Sequence, residues 1–124
     1  LIAWVLLGVG GGWSDELDAG VAEELAGPPG PAREAVASGA SYLGVGPCHT
    51  TSTKTGLPDP IGPAGVRAVV DAVDVPVIAI GGVTAARVAA LRAAGAYGVA
   101  VVGAVSAAAD PALATAELIE ALTC

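Results

Sequence analysis

The stretch PVIAIGG, residues 76–82, joins a short run of aliphatic residues directly to a pair of glycines. Two similar apolar runs flank it along the chain: YLGVG at residues 42–46 and GVAVV at residues 98–102. Continuous apolar runs, as opposed to alternating ones, are typical of parallel strands that are covered on both faces. We therefore predict that these three segments form adjacent parallel strands, in this order.

Helical segments separate the apolar runs. Thr84 and Asp110 are N-cap residues in front of two of them, and Gly95 is a typical stop after the first. This alternation of strands and helices indicates an α/β fold with right-handed crossovers. We expect three β/α units of a (β/α)8 (TIM) barrel, with helices over residues 32–38, 62–73, 84–94 and 110–122.

The amino-terminal part of the sequence is harder to interpret. Residues 2–7 are a candidate buried strand, and residues 14–25 have helical spacing. A complete barrel needs roughly 200 residues or more, whereas the chain has 124 residues. We therefore expect only part of a barrel, with a poorly matched segment at residues 1–30.

The composition excludes several classes of function. The formal net charge is −7 and the sequence pI is about 4.3, which argues against binding to nucleic acid or to an anionic membrane surface. The apolar run at residues 1–12 is too short to span a bilayer. Two cysteines are too few for a disulfide framework, so we expect a reducing, cytoplasmic location.

Three loops follow the predicted strands, and in (β/α) barrels the chemistry lies at this end of the strands. The first reads PCHTTSTK at residues 47–54; the others contain the glycine pair at 81–82 and Gly103. Glycines let backbone N–H groups approach a phosphate, although a tight turn without any ligand is an equally good interpretation of Gly81 and Gly82. Hydroxyls followed by Lys54 suit a diphosphate, whereas a solvated turn is the plain alternative.

The other candidate residues carry weaker signals. His49 is of a type suited to acid–base chemistry, but a single loop histidine is more often a bystander. Cys48 has no neighbour in the sequence that clearly activates a thiol. Arg33, Arg67, Arg87 and Arg92 fall on predicted helices, where a solvated face is the better interpretation.

Taken together, residues 42–47, 51–54, 79–83 and 98–102 resemble thiamine-phosphate synthase over about residues 31–124, the carboxyl-terminal half of that family's barrel. The resemblance implies a Mg²⁺-dependent transferase that joins hydroxymethylpyrimidine diphosphate to a thiazole phosphate and releases diphosphate. Its partners would be these small phosphorylated molecules.

The same resemblance assigns roles to individual residues. It implies that Thr51, Ser52 and Thr53 contact the thiazole phosphate and that Lys54 contacts the diphosphate and is the catalytic candidate. Gly82, Val102 and Gly103 would bind the thiazole phosphate. The sequence departs from the family at three places: Thr50 replaces a proline, His49 an aromatic residue and Gly103 a serine.

In the amino-terminal part, the sequence departs from the family at the residues that bind the metal ion. The family holds Mg²⁺ with two aspartates, and here Trp13 stands at the second position, with Asp15 two residues later as a weak candidate. We therefore expect a truncated or degenerate copy that binds a phosphate ester weakly. The alternatives are a thiazole tautomerase, for which histidine would be expected where Pro47 stands, and a non-catalytic half-barrel. Unpaired strand edges favour a homo-oligomer.

Overall fold

The computed structural model describes residues 5–8, 29–37, 39, 42–50 and 59–123. In these ranges the elements are β1 (Val5–Gly8), α1 (Pro29–Ala37), β2 (Leu43–Val45), α2 (Gly62–Ala72), β3 (Val77–Ile80), α3 (Ala85–Ala93), β4 (Gly98–Val101), α4 (Gly103–Ser106) and α5 (Pro111–Thr123). The predicted helix over residues 14–25 lies outside the described residues.

The four described strands form one sheet in the order β1-β4-β3-β2. Strands β2 and β3 are parallel, with Gly44 opposite Ile78, and β3 is parallel to β4, with Ile80 opposite Ala100. This confirms the predicted set of three adjacent parallel strands. Each is followed by a helix, so the carboxyl-terminal part of the chain consists of three β/α units, as in part of a (β/α)8 barrel.

Strand β1 departs from the barrel pattern. It pairs with β4 in the antiparallel direction, with Leu6 opposite Ala100 and Gly8 opposite Gly98, whereas all strands of a (β/α)8 barrel are parallel. The apolar run at residues 2–7 predicted a strand, but the run carries no information on direction. Direction depends on how the chain returns to the sheet, and an antiparallel neighbour needs no helical crossover.

The main core lies between the sheet and one layer of helices. Side chains of a strand alternate between its two faces, and alternate residues of β2, β3 and β4 pack against the helices. This cluster includes Leu43, Val45, Val77, Ala79, Val99 and Val101 from the strands and Val66, Val69, Val88, Leu91, Leu118 and Leu122 from the helices. With no Phe or Met in the chain, aliphatic packing of this kind positions the strand ends.

The helix ends agree with the cap residues predicted from the sequence, with one exception. The Asp110 carboxylate accepts a hydrogen bond from the Leu113 N–H at 3.1 Å, and Gly95 ends α3 with a φ of 102°. Thr84 occupies the N-cap of α3, but its side chain makes no capping hydrogen bond. No helix in the described part of the chain is long and apolar enough to cross a membrane.

Candidate functional site

The loops that follow β2, β3 and β4 meet at the carboxyl ends of the parallel strands. The first loop is held against the glycine turn that follows β3 by two backbone hydrogen bonds. Cys48 N–H donates to the Ile80 carbonyl at 2.9 Å, and His49 N–H donates to the Gly81 carbonyl at 3.0 Å. These bonds continue the β2–β3 ladder beyond the strands, so the glycine turn and the first loop form one unit.

Three glycines make this close approach possible. An added Cβ at Gly46 would collide with the Ile80 carbonyl oxygen, and one at Gly81 would lie 2.7 Å from Pro47 Cα. At Gly82 the Cβ would lie 2.5 Å from the Thr50 carbonyl oxygen, and its φ is 63°. Backbone atoms cannot move aside as a flexible side chain can, so the sequence pattern Gly-Gly is required by packing as well as by conformation.

The same loop is also fixed to the start of α2. Ile61 N–H donates to the Pro47 carbonyl and Gly62 N–H donates to the Cys48 carbonyl, each at 2.9 Å. The start of α2 therefore lies beside the first loop at the same end of the sheet. Four predicted site residues lie outside the described residues, and their roles remain predictions: Thr51, Ser52, Thr53 and Lys54.

Cys48 is a structural residue of this loop. Its side chain is fully buried, and the thiol donates to the Val45 carbonyl at 3.3 Å. Burial raises the pKa of the Cys48 thiol to about 11. A thiol that stays protonated is a poor nucleophile, which agrees with the absence of an activating neighbour in the sequence.

His49 and Arg87 meet next to the glycine turn. The Nε2 atom of His49 is shielded from solvent and has no hydrogen-bond partner among the described atoms. Burial, and secondly the positive charge of Arg87, lower the pKa of His49. Arg87 in turn donates from Nη1 to the Gly82 carbonyl at 2.5 Å. Both effects favour the neutral form of the imidazole, which lies within the electrostatic reach of Arg87.

Arg87 lies on a solvated helix face, as expected, but it also makes a contact that the sequence interpretation did not predict. Its side chain is exposed, yet the guanidinium has a specific acceptor in the glycine turn. The position of Arg87 in the sequence does indicate this contact. It lies five residues after Gly82, in the first turn of the helix that follows the turn, from where a long side chain reaches back.

Val102 and Gly103 form the third part of the site, after β4. Val102 is the N-cap of the short helix α4, and its carbonyl accepts from Ser106 N–H at 2.9 Å. The sequence did not predict α4. The first N–H groups of a helix have no partner inside it, and the N–H groups of Gly103 and Ala104 have no acceptor among the described backbone carbonyls at the end of β4.

Titratable ligands for a metal are not clustered in this region. Among residues 5–8, 29–37, 39, 42–50 and 59–123, no group of three or more His, Cys, Asp or Glu side chains is placed to hold a metal ion. Asp15, the weak candidate, lies outside them. The described residues therefore supply no preformed carboxylate cluster for Mg²⁺, an ion that usually binds through one or two carboxylates together with substrate phosphates.

A cavity of about 440 Å³ lies at the opposite ends of the strands. It is open and largely apolar, and its lining includes Val70, Val77, Arg92 and Tyr97. Arg92 closes the adjoining chain turn by donating to the Ala96 carbonyl at 2.9 Å and the Tyr97 carbonyl at 3.0 Å. In barrel folds this end serves stability and the carboxyl end serves function, so this cavity is not the candidate site.

Comparison with known proteins gives a consistent family assignment. A sequence model of the thiamine monophosphate synthase family matches residues 26–105. Thiamine-phosphate synthase of Salinispora arenicola is 74% identical over 91 residues, which are 73% of this chain and 44% of that protein. The Moorella thermoacetica enzyme of the same name is 41% identical over 118 residues, 95% of this chain and 49% of that protein.

Solved structures agree with the sequences. A thiamine phosphate pyrophosphorylase from Pyrococcus furiosus superposes with a TM-score of 0.70 at 34% identity, over 79% of this chain and 46% of that one. The chain thus spans less than half the length of these relatives.

Proposed function

Since the chain belongs to the thiamine monophosphate synthase family, we propose that it binds the phosphate group of a thiazole phosphate at the carboxyl ends of β3 and β4. This site would serve the synthase reaction, in which hydroxymethylpyrimidine diphosphate and the thiazole phosphate are joined and diphosphate is released. The proposal concerns small phosphorylated molecules as partners, and on that ground we also propose a cytoplasmic location.

One observation supports the proposal above the others: the arrangement of the Gly81-Gly82 turn. The Gly81 carbonyl accepts from His49 N–H and the Gly82 carbonyl accepts from Arg87. No described backbone carbonyl accepts from the N–H of Gly82 or Val83. Unpaired N–H groups on a glycine turn, next to the free donors of Gly103 and Ala104, are suited to phosphate oxygens.

Lys54 has the second role in the proposal. In the family's reaction the bond between the pyrimidine methylene carbon and the diphosphate oxygen breaks, and the electron pair leaves with the diphosphate. The thiazole nitrogen then forms the new bond to that carbon. A lysine ammonium placed at the diphosphate stabilises its developing charge. We propose this role for Lys54, with Thr51, Ser52 and Thr53 binding the thiazole phosphate.

Mg²⁺ is the cofactor that the family implies, and it would neutralise further charge on the diphosphate. We propose Asp15 as its weak candidate ligand. Since the described residues provide no metal cluster, no step of the reaction is assigned to the ion. Since Trp13 stands where the family has its second metal-binding aspartate, we propose that this chain, by itself, binds thiazole phosphate weakly and makes no thiamine phosphate.

Two measurements test this function. Isothermal titration with thiazole phosphate, with and without Mg²⁺, should show weak binding that Mg²⁺ leaves unchanged. An assay of thiamine phosphate formation with both substrates and Mg²⁺ should show no turnover. Turnover near that of a complete synthase, abolished by Lys54→Ala, would contradict the proposal. The tautomerase alternative is not favoured, because the chain has Pro47 at the expected histidine and its relatives are synthases.

We also propose that the isolated chain forms homo-oligomers. Strand β2 is at the end of the described sheet, and the free edge of a parallel strand exposes backbone groups that pair readily with another chain. Light scattering of the purified chain should show a mass above that of one chain, 11.8 kDa. A stable monomer that unfolds cooperatively would contradict this.

A further inference from the structure

Arg87 has a specific acceptor that its exposed position does not suggest. It lies in the first turn of α3 (Ala85–Ala93), and its Nη1 donates to the Gly82 carbonyl at 2.5 Å. Two other guanidinium groups act elsewhere: Arg67 pairs with Asp71 on α2, and Arg92 binds carbonyls at the opposite end of α3.

The contact of Arg87 with the Gly82 carbonyl restrains the whole peptide unit and not only the oxygen atom. The peptide unit is planar and trans, so the carbonyl of one residue and the N–H of the next point in opposite directions. His49 N–H holds the Gly81 carbonyl, which fixes the direction of Gly82 N–H. Arg87 holds the Gly82 carbonyl, which in the same way fixes the direction of Val83 N–H. The two donors of the turn are thus each oriented from the carbonyl side of their own peptide.

A further contact is needed to hold this orientation, because a glycine backbone does not hold it by itself. Gly82 has a φ of 63°, and a residue without Cβ moves between backbone conformations at little cost. The Gly81-Gly82 peptide is bonded to the first loop, whereas the Gly82-Val83 peptide has Arg87 as its described side-chain partner. Arg87 therefore restrains the one peptide of the turn that the sheet does not.

The neighbouring histidine is consistent with this arrangement. A Cβ at Gly82 would lie 2.9 Å from His49 Cβ, so the imidazole lies beside the same turn. Its Nε2 is sealed from solvent without a described partner. A second cation at this place would oppose Arg87, and the neutral imidazole leaves the guanidinium as the local positive charge.

We propose that Arg87 is a positioning residue for anion recognition: by holding the Gly82 carbonyl it directs Val83 N–H, together with Gly82 N–H, to the phosphate group. The inference rests on the proposed function and adds a residue to it. Arg87 acts through the turn and does not itself contact the phosphate.

The test compares Arg87→Ala, Arg87→Lys and the matched control Arg92→Ala in the full chain, with inorganic phosphate as the probe in isothermal titration. We expect Arg87→Ala to weaken binding about tenfold, which corresponds to about 1.4 kcal/mol. Arg87→Lys keeps a donor and a charge and should recover part of the loss, whereas Arg92→Ala should bind as the parent chain does.

A second measurement separates positioning from general structural damage. The His49 pKa, followed by NMR, should rise in Arg87→Ala because a nearby positive charge is removed, and should stay unchanged in Arg92→Ala. Equal phosphate binding by Arg87→Ala and the parent chain would overturn the inference and leave the proposed function standing. Failure of the parent chain itself to bind phosphate would overturn both.

Discussion

Both ends of the β3-α3-β4 unit contain a glycine with a positive φ and an arginine that binds backbone carbonyls, but we assign the two ends different roles. At the carboxyl end, Gly82 has a positive φ and Arg87 binds its carbonyl. At the other end, Gly95 has a positive φ and Arg92 binds the Ala96 and Tyr97 carbonyls. A glycine turn with an arginine on its carbonyls is therefore not by itself a functional site.

The difference lies in the donors and in what surrounds each glycine. Beyond Gly95 the N–H groups are used: Ala96 N–H donates to the Leu91 carbonyl and Tyr97 N–H to the Val77 carbonyl. At Gly82 the carbonyls are bound and the described backbone leaves the N–H groups unpaired. A Cβ at Gly95 would meet the Val70 side chain, whereas at Gly82 it would meet backbone. The N–H groups at the Gly95 end are paired, whereas those at the Gly82 end have no acceptor among the described backbone carbonyls, as the proposed phosphate site requires.

The largest expected effect is that of Gly82→Ala. The new Cβ would lie 2.5 Å from the Thr50 carbonyl oxygen, so the loop or the turn must shift. Gly62→Ala is a matched control, because its φ of 62° is nearly the same and no described atom lies within 4 Å of its Cβ. We expect Gly82→Ala to lower the free energy of unfolding by about 1–3 kcal/mol more than the control.

Urea denaturation of both variants measures this difference, and phosphate titration should show that Gly82→Ala alone loses binding. Equal stability and equal binding in the two variants would mean that the close approach of the first loop to Gly82 is not a property of the molecule.

Cys48 gives a pH-dependent effect at the carboxyl end. Its pKa of about 11 in the folded chain lies above the ordinary 9.0, so the folded state keeps the proton to higher pH than the unfolded state does. The contribution is complete below about pH 9 and is lost as the pH rises towards 11. The slope of stability against pH should reach about 1.4 kcal/mol per pH unit.

Urea midpoints measured across this range for the parent chain and Cys48→Ala test the effect. The variant should lose that part of the slope. Identical slopes would show that the thiol is not buried as described.

The smallest expected effect is the difference between removing Arg92 and removing Arg87. Arg92→Ala removes hydrogen bonds to two carbonyls in a part-buried turn, and we expect it to cost about 1 kcal/mol of stability without changing phosphate binding. Arg87 is exposed, so its removal should change stability less while weakening binding. Thermal unfolding and phosphate titration of both variants give the comparison. If Arg92→Ala also weakened binding, the functional distinction between the two ends would be wrong.

The sequence predicted those features that depend on local pattern. The three apolar runs were confirmed as parallel strands because strands buried on both faces are continuously apolar, and Asp110 was confirmed as a cap because its neighbours along the chain are its partners. The direction of β1 was not predictable, since it depends on pairing with a distant strand. The short helix α4 was missed because four residues are too few to show a period.

The site was predictable to a similar extent. Gly82, Val102 and Gly103 were proposed because they follow strands; the structure places all three at the same end of the sheet, and their binding role is still a prediction. The contact of Arg87 was missed because a hydrophobic period classifies Arg87 only as a surface residue, whereas its acceptor is a backbone carbonyl. The roles of Thr51, Ser52, Thr53 and Lys54 are still predictions from the family resemblance.

We propose that backbone donors at the ends of β3 and β4 bind a phosphate group. Amide-resolved NMR during titration with thiazole phosphate tests this most directly, because each N–H reports separately. We expect the largest shifts at Gly82, Val83, Gly103 and Ala104, with little change at Gly95, Ala96 and Tyr97. Shifts concentrated at the Arg92 end, or no shifts at Gly82 and Gly103 while phosphate binds, would contradict it.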